Sequence, residues 1–98
     1  MAAKGYWIAS VEVTDPVGYK AYMEANAVPF AKYGATFLVR GGRAETMEGG
    51  FRQRTVVLEF KDYETALACY HSPEYQAAKA LRQGKGIADL IVVEGYAP

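Results

Sequence analysis

The chain has a single histidine, His71, which directly precedes a Ser72-Pro73 pair. Imidazole exchanges protons near neutral pH more readily than other side chains, so His71 is the first candidate for general acid–base catalysis. A Ser-Pro pair predicts the start of a new helix, and side chains at a break between helices can face a cleft. We therefore predict His71 and the adjacent Tyr70 as catalytic residues, with Ser72 in the substrate site. The alternative is that His71 is a surface or capping residue.

A second candidate is Arg40, which lies on a predicted strand and precedes two glycines. Glycines beside a guanidinium leave room for a carboxylate or another anion to approach. Regular strand alternation places Phe37 and Val39 on one face and Arg40 on the other. We predict that Arg40 anchors the substrate. The alternative is an ion pair with Glu59 or Asp89 that fixes a bend in the chain.

Three further residues complete the predicted substrate-binding set: Asn26, Tyr33 and Tyr6. Asn26 and Tyr33 flank Pro29, where we predict a break in the first helix that opens the edge of a pocket. Tyr6 is included because tyrosine buries its ring while its hydroxyl stays available for a ligand. The alternatives are that Asn26 is a simple helix cap and that the tyrosines form core or dimer contacts.

Arg43, Arg52 and Arg54 form a basic cluster near a predicted hairpin, with Glu45 and Glu48 close by in the sequence. Exposed ion pairs of this kind are common on hairpin surfaces and contribute little to stability. We interpret the cluster as solvated, ion-paired surface rather than as a site.

Composition excludes several classes of protein. The 11 Lys and Arg residues balance the 11 Asp and Glu residues, which argues against a nucleic-acid-binding protein held by phosphate contacts. Cys69 is the one cysteine and His71 the one histidine, which excludes an internal disulfide and disfavours a metal site. Motifs for phosphate loops, dinucleotide loops, nucleophile elbows and zinc proteases are absent. We expect no metal, no cofactor and no nucleic-acid partner.

The hydropathy of the chain gives no sign of a membrane protein. No stretch approaches the roughly 18–20 consecutive apolar residues that a membrane-spanning helix needs. Lys4, Gly5 and Glu12 interrupt the first residues, which therefore lack the apolar segment of a targeting signal. We expect no membrane contact and a cytoplasmic location.

The elements that must position these side chains follow the order strand, helix, strand, strand, helix, strand. Asp15-Pro16 and Asp62 predict helix starts, and Gly34 predicts a helix end. Gly41-Gly42 predicts a bulge within the second strand. The predicted strands are residues 5–14, 35–47, 52–60 and 88–96.

Right-handed crossovers in a βαββαβ chain give a four-stranded antiparallel sheet with both helices on one face. Residues 1–98 are thus predicted to form a single domain, a ferredoxin-like α+β sandwich. Tyr6 and Ile8 make the first strand apolar on both faces at its start, and residues 90–93 form an unbroken apolar run. Strands of this kind are covered on both faces. We therefore expect a homodimer in which a second copy covers the open face of the sheet.

Five segments of the chain form a distinctive set: GYWIASVEVTDP (5–16), AKYGATFLVRGG (31–42), VVLEF (56–60), YHSPEYQAAKALR (70–82) and ADLIVVEG (88–95). In these segments the chain resembles the bacterial domain-of-unknown-function family 1330, within the dimeric α+β barrel superfamily. The resemblance implies a ferredoxin-like protomer and a dimer whose two sheets pack face to face. It implies no established reaction. Many relatives carry Asn at the position of His71, so a role for this imidazole would not extend to the whole family.

Two functional hypotheses follow. In the first, the protein is a cofactor-independent enzyme that acts on a small organic metabolite in a cleft between sheet and helices. Arg40 would bind an anionic or carbonyl group, His71 or Tyr70 would transfer a proton, and Asn26 would orient the substrate. In the second, the protein is a non-catalytic small-molecule-binding or structural homodimer. The absence of a complete catalytic constellation favours the second hypothesis, and the polar residues at the helix breaks favour the first.

Overall fold

A computed structural model of the protein describes residues 3–98, and the elements follow the predicted order. The sheet has four antiparallel strands in the order β2-β3-β1-β4, and the helices pack on one of its faces. The ferredoxin-like α+β fold is therefore confirmed. The elements are β1 (Gly5–Val13), α1 (Pro16–Ala25), α2 (Ala27–Lys32), β2 (Thr36–Arg40), β3 (Arg54–Phe60), α3 (Tyr63–His71), α4 (Pro73–Ala80) and β4 (Gly86–Glu94).

The predicted helix starts are confirmed by side-chain capping hydrogen bonds. Asp15 accepts from the backbone N–H of Gly18 at 3.0 Å, and Ser72 accepts from that of Tyr75 at 3.1 Å. Asp62 accepts from the backbone N–H of Thr65 at 2.8 Å. Each cap satisfies one of the backbone donors that the first turn of a helix leaves unpaired.

The predicted break in the first helix lies at Asn26 rather than at Pro29. α1 ends at Ala25 and α2 begins at Ala27, so Pro29 lies in the first turn of α2. Proline has no backbone N–H, and its ring clashes with the carbonyl four residues earlier in a continuous helix. In the first turn of a new helix that N–H is not needed, which explains why the chain breaks ahead of the proline.

The second strand is shorter than predicted and its bulge lies elsewhere. β2 ends at Arg40, because Gly41 adopts the left-handed conformation, with φ of 67°, and residues 41–53 leave the sheet. The bulge lies between Phe37 and Val39, where the pairing with β3 shifts by one residue. The predicted alternation is therefore wrong: Phe37 and Arg40 share the helix-covered face, and Val39 lies on the opposite face.

The core lies between the sheet and the helices and is centred on Trp7. Its indole Nε1 donates to the backbone carbonyl of Ala66 at 2.8 Å. The rings of Phe30 and Tyr75 pack edge-on against the indole, with centroids 5.3 Å and 4.8 Å away. Cys69 is also buried here, and burial raises the pKa of its thiol to about 12, so the thiol stays protonated.

The opposite face of the sheet, which we call the open face, is partly apolar and no element of residues 3–98 packs on it. Ile8 and Ile91 pair across β1 and β4 on this face, and Ile91 is 57% exposed. Arg52 crosses one end of the face, where its Nε donates to Asp89 Oδ2 at 2.9 Å. The open face thus combines an apolar stripe with an ion pair at one end.

The cap of α3 predicts a pH-dependent contribution to stability. Hydrogen bonds from Thr65 hold the pKa of Asp62 below its ordinary value of 3.8. The ionised cap therefore stabilises the fold above that value, and this contribution is lost as the pH falls through the lowered folded-state pKa. Asp62→Asn keeps a good capping residue without the charge.

We expect the wild-type chain to be more stable than Asp62→Asn at about pH 6, and the difference to be smaller at about pH 2, in urea unfolding. Glu64→Gln, at an exposed position of the same first turn, serves as the control for a general loss of negative charge. A difference between wild type and Asp62→Asn that is the same at both pH values would contradict the assignment.

Candidate functional site

A cavity of about 50 Å³ lies between the sheet and the helices α1 and α2. Its apolar wall includes Trp7, Phe30 and Leu58. The space exists because Ala9 and Ala88, on adjacent strands, place only methyl groups where their neighbours carry large side chains. The cavity is therefore a consequence of two small residues within the helix-covered face of the sheet.

Three arginines line this cavity: Arg40, Arg54 and Arg82. No lining residue is acidic, and within residues 3–98 none of the three arginines forms an ion pair. The predicted alternative for Arg40 is therefore not observed, because Glu59 accepts from Tyr6 and Asp89 from a different arginine. Three cations beside an apolar space favour an anionic ligand.

Tyr22 and the partly buried Arg82 line the cavity, and the buried Tyr75 lies directly behind Tyr22. The hydroxyls of Tyr22 and Tyr75 are 2.9 Å apart and share a hydrogen bond, and the Arg82 guanidinium lies 5.3 Å from the Tyr22 ring centroid. Burial and the neighbouring Tyr75 raise the pKa of Tyr22 well above its usual range, so Tyr22 is a donor of hydrogen bonds rather than a base. Burial alone would lower the pKa of Arg82, but the hydroxyls of Tyr75, Tyr22 and Tyr19 raise it overall.

Asn26 is the second predicted residue that the structure places at the cavity. It is buried, it occupies the junction between α1 and α2, and its side chain makes no capping hydrogen bond. Its backbone N–H donates to the Tyr22 carbonyl at 2.9 Å, which holds the junction against α1. The break in the helix thus places an amide side chain at the wall, next to Tyr22.

The predicted catalytic residues lie outside the cavity lining. His71 is exposed at the end of α3, where Ser72 stops the helix. The Tyr70 hydroxyl accepts from Lys79 Nζ at 2.9 Å, and the Ser72 hydroxyl donates to the Cys69 carbonyl at 2.7 Å. The structure therefore does not bring these three residues together with Arg40, and their catalytic and binding roles stay predictions.

Tyr6 and Tyr33 also lie outside the cavity lining. Tyr6 alternates with Trp7 and so lies on the open face, where its hydroxyl donates to Glu59 Oε2 at 3.0 Å. Tyr33 is half-buried at the end of α2, with Lys32 Nζ 5.6 Å from its ring centroid. Their binding roles likewise stay predictions.

Sequence reasoning missed Arg54, Arg82 and Tyr22 as site residues. The sequence pattern predicts Arg54 in the exposed basic cluster, yet its pairing with Val11 places it on the helix-covered face. Arg54 lies an even number of positions before the buried Leu58 and Phe60 on the same strand. This regular spacing could have placed Arg54 on their face of the sheet. Arg82 follows Tyr75 by seven residues, so a helical stripe of period 3.6 could have linked the two.

The described residues contain no cluster of three side chains that could hold a metal ion. None of the helices in residues 3–98 is long and apolar enough to cross a membrane.

The fold is similar to that of solved structures of low sequence identity, which shows the fold alone. A protein of unknown function from Rhodopseudomonas palustris has a TM-score of 0.75 and 15% identity over 100% of this chain and 86% of that one. SnoaB, a cofactor-independent oxygenase from Streptomyces nogalater, has a TM-score of 0.64 and 11% identity over 99% and 97%. A dimeric protein of unknown function with a ferredoxin-like fold from Bacteroides fragilis has a TM-score of 0.60 and 15% identity over 93% and 95%.

A search of curated proteins finds no match to the chain. A family described as a domain of unknown function, DUF1330, matches residues 4–96. The match includes every strand and helix of the fold and all the residues that line the cavity. The resemblance seen in the sequence is therefore confirmed, and the chain belongs to the DUF1330 family.

Proposed function

We propose that the protein binds a small organic anion in the cavity between the sheet and the helices. One observation carries this proposal: three arginines line an apolar cavity that has no acidic residue in its wall. Cations placed close together repel one another and destabilise a compact fold. A bound anion would neutralise their charge and accept strong hydrogen bonds from them, whereas water in the cavity would leave the charges uncompensated.

A second candidate is cofactor-independent catalysis on the bound molecule. Tyr22 lines the cavity and its hydroxyl stays protonated, so a carbonyl oxygen of the ligand that reached this hydroxyl could accept a hydrogen bond from it. SnoaB, which has a similar fold, is a cofactor-independent oxygenase. The wall itself contains no His, Asp or Glu to act as a base, and this favours binding over catalysis.

We further propose that the protein forms a homodimer through its open face. The partly exposed apolar residues of that face support this arrangement, and they include Ile8, Val39, Ile87, Ile91 and Val93. A structural neighbour with the same fold is dimeric. The cavity lies on the other face of the sheet, so each protomer would keep its own site.

A thermal-unfolding screen against a library of small metabolites tests the binding proposal. A ligand at about one hundred times its dissociation constant stabilises a protein by roughly 2.7 kcal/mol, which raises the Tm of a chain this size by roughly 10–20 °C. We expect organic acids to be enriched among the stabilising compounds. Mass spectrometry of each incubated hit then separates binding from turnover. A screen without stabilising compounds, or with cations alone, would contradict the proposal.

A further inference from the structure

Arg82 lines the cavity and has one buried donor atom without a hydrogen-bond partner within residues 3–98. That atom is the guanidinium Nε. The guanidinium lies over the ring of Tyr22, which offers its π-face but no acceptor oxygen to that N–H. A buried guanidinium donor without an acceptor is destabilising. Because Arg82 also lines the cavity, an anion bound there would offset this cost through its charge.

Arg54 lies where the cavity meets a wider outer groove. Both spaces share Arg54, Tyr19 and Met23, and the groove also includes Gly41. The Arg54 guanidinium packs against Gly41, where a Cβ atom would lie 2.7 Å from Nη1. Glycine at this position therefore leaves room for the Arg54 guanidinium.

The size of the cavity limits the ligand. About 10–15 Å³ of such space is needed for each water-sized group, so about 50 Å³ accommodates three to five non-hydrogen atoms. The wall around that space is mainly aromatic and aliphatic, with Trp7, Phe30 and Leu58 among its members. An apolar group of about three to five non-hydrogen atoms fits the space within this wall. An anionic group could pair with the arginines.

We propose that the cavity binds a short-chain carboxylate, with an apolar body of about three to five non-hydrogen atoms enclosed and its carboxylate held by Arg82 and Arg54. This inference rests on the proposed binding of a small organic anion and adds the chemical class and size of that anion. Inorganic phosphate shares the charge but lacks the apolar body. A neutral amide shares the body but lacks the charge.

Isothermal titration calorimetry with the full chain tests the inference, and 3-methylbutanoate is the probe. We expect it to bind saturably. The neutral 3-methylbutanamide and inorganic phosphate should each bind at least about tenfold more weakly, as should benzoate, whose ring exceeds the enclosed space. These comparisons use the wild-type protein and so do not depend on the folding of any variant. Equal binding of the amide, or no binding of 3-methylbutanoate, would overturn the inference.

Variants then identify the residues. Arg82→Gln removes the charge and should weaken 3-methylbutanoate binding at least about tenfold. Arg43→Gln removes the same charge from the exposed loop outside the cavity and should leave binding unchanged. Unchanged binding in Arg82→Gln would overturn the assignment of Arg82. If 3-methylbutanoate fails while larger organic anions stabilise the protein, the short-chain class is wrong and the proposed binding of an organic anion stands. If no metabolite binds, both fail.

Discussion

Ile91→Lys is expected to convert a dimer into a monomer without unfolding the protomer. Ile91 is 57% exposed on the open face of the sheet, opposite Ile8 on the neighbouring strand. A substitution at so exposed a position changes the stability of an isolated protomer by no more than about 0.5 kcal/mol. In a face-to-face dimer the same lysine would be buried without a partner. Burying one unpaired charge costs about 3 kcal/mol. A two-fold dimer buries two such lysines, so its free energy of association is weakened by about 6 kcal/mol. The dissociation constant would then be more than about ten-thousand-fold higher.

Sedimentation equilibrium over a range of concentrations measures this directly. Val17→Lys is the matched control, because Val17 is 85% exposed on α1, away from the open face, and receives the same charge. The control should remain dimeric. A wild-type protein that is already monomeric, or an Ile91→Lys variant that dimerises as tightly as the control, would contradict the proposed interface.

Ala9→Val is expected to abolish ligand binding while leaving the fold intact. Ala9 is buried, it lies on β1, and it contributes a methyl group to the cavity wall. Valine adds two further carbons to a space that holds about three to five non-hydrogen atoms. Overpacking is costly where a core is already filled, but here the added carbons occupy a void, and β-branched residues suit a strand. We expect the free energy of unfolding to change by no more than about 1 kcal/mol.

Calorimetry with 3-methylbutanoate and urea unfolding together test this prediction. Binding should fall below detection while the unfolding midpoint stays close to that of the wild type. Ala77→Val, at an exposed position on α4, adds the same atoms outside the cavity and should bind normally. Full binding by Ala9→Val would place the ligand elsewhere, whereas a large loss of stability would show that the cavity has no room for the added carbons.

Local signals in the sequence were sufficient for the order of elements and for most of their boundaries. Asp15, Asp62 and Ser72 cap helices as expected, because a cap depends on residues within one turn. The alternation of β1 placed Trp7, Ala9 and Val11 on one face, and all three are buried. The open face also followed from strand patterns, since alternation along a strand determines which side chains share a face.

The site was harder to predict because it depends on pairing between distant segments. A bulge between Phe37 and Val39 places Arg40 on the helix-covered face. No local residue pattern predicts this bulge. Arg54 and Arg82 are 28 positions apart in the sequence, and only the tertiary packing of β3 and of the turn after α4 brings both to one cavity. His71 is predicted as a catalytic residue because imidazole exchanges protons near neutral pH. The fold places it on an exposed helix end.

Trp7 provides the most direct measurement of the central claim that this cavity binds a small organic anion. It is the one tryptophan of the chain, it lines the cavity, and its Nε1–H gives a single indole resonance in a ¹H–¹⁵N spectrum. Titration with organic acids, including 3-methylbutanoate, is predicted to shift this resonance saturably in the wild-type protein and not in Ala9→Val. An indole resonance that no acid shifts, or that shifts equally in Ala9→Val, would contradict the claim.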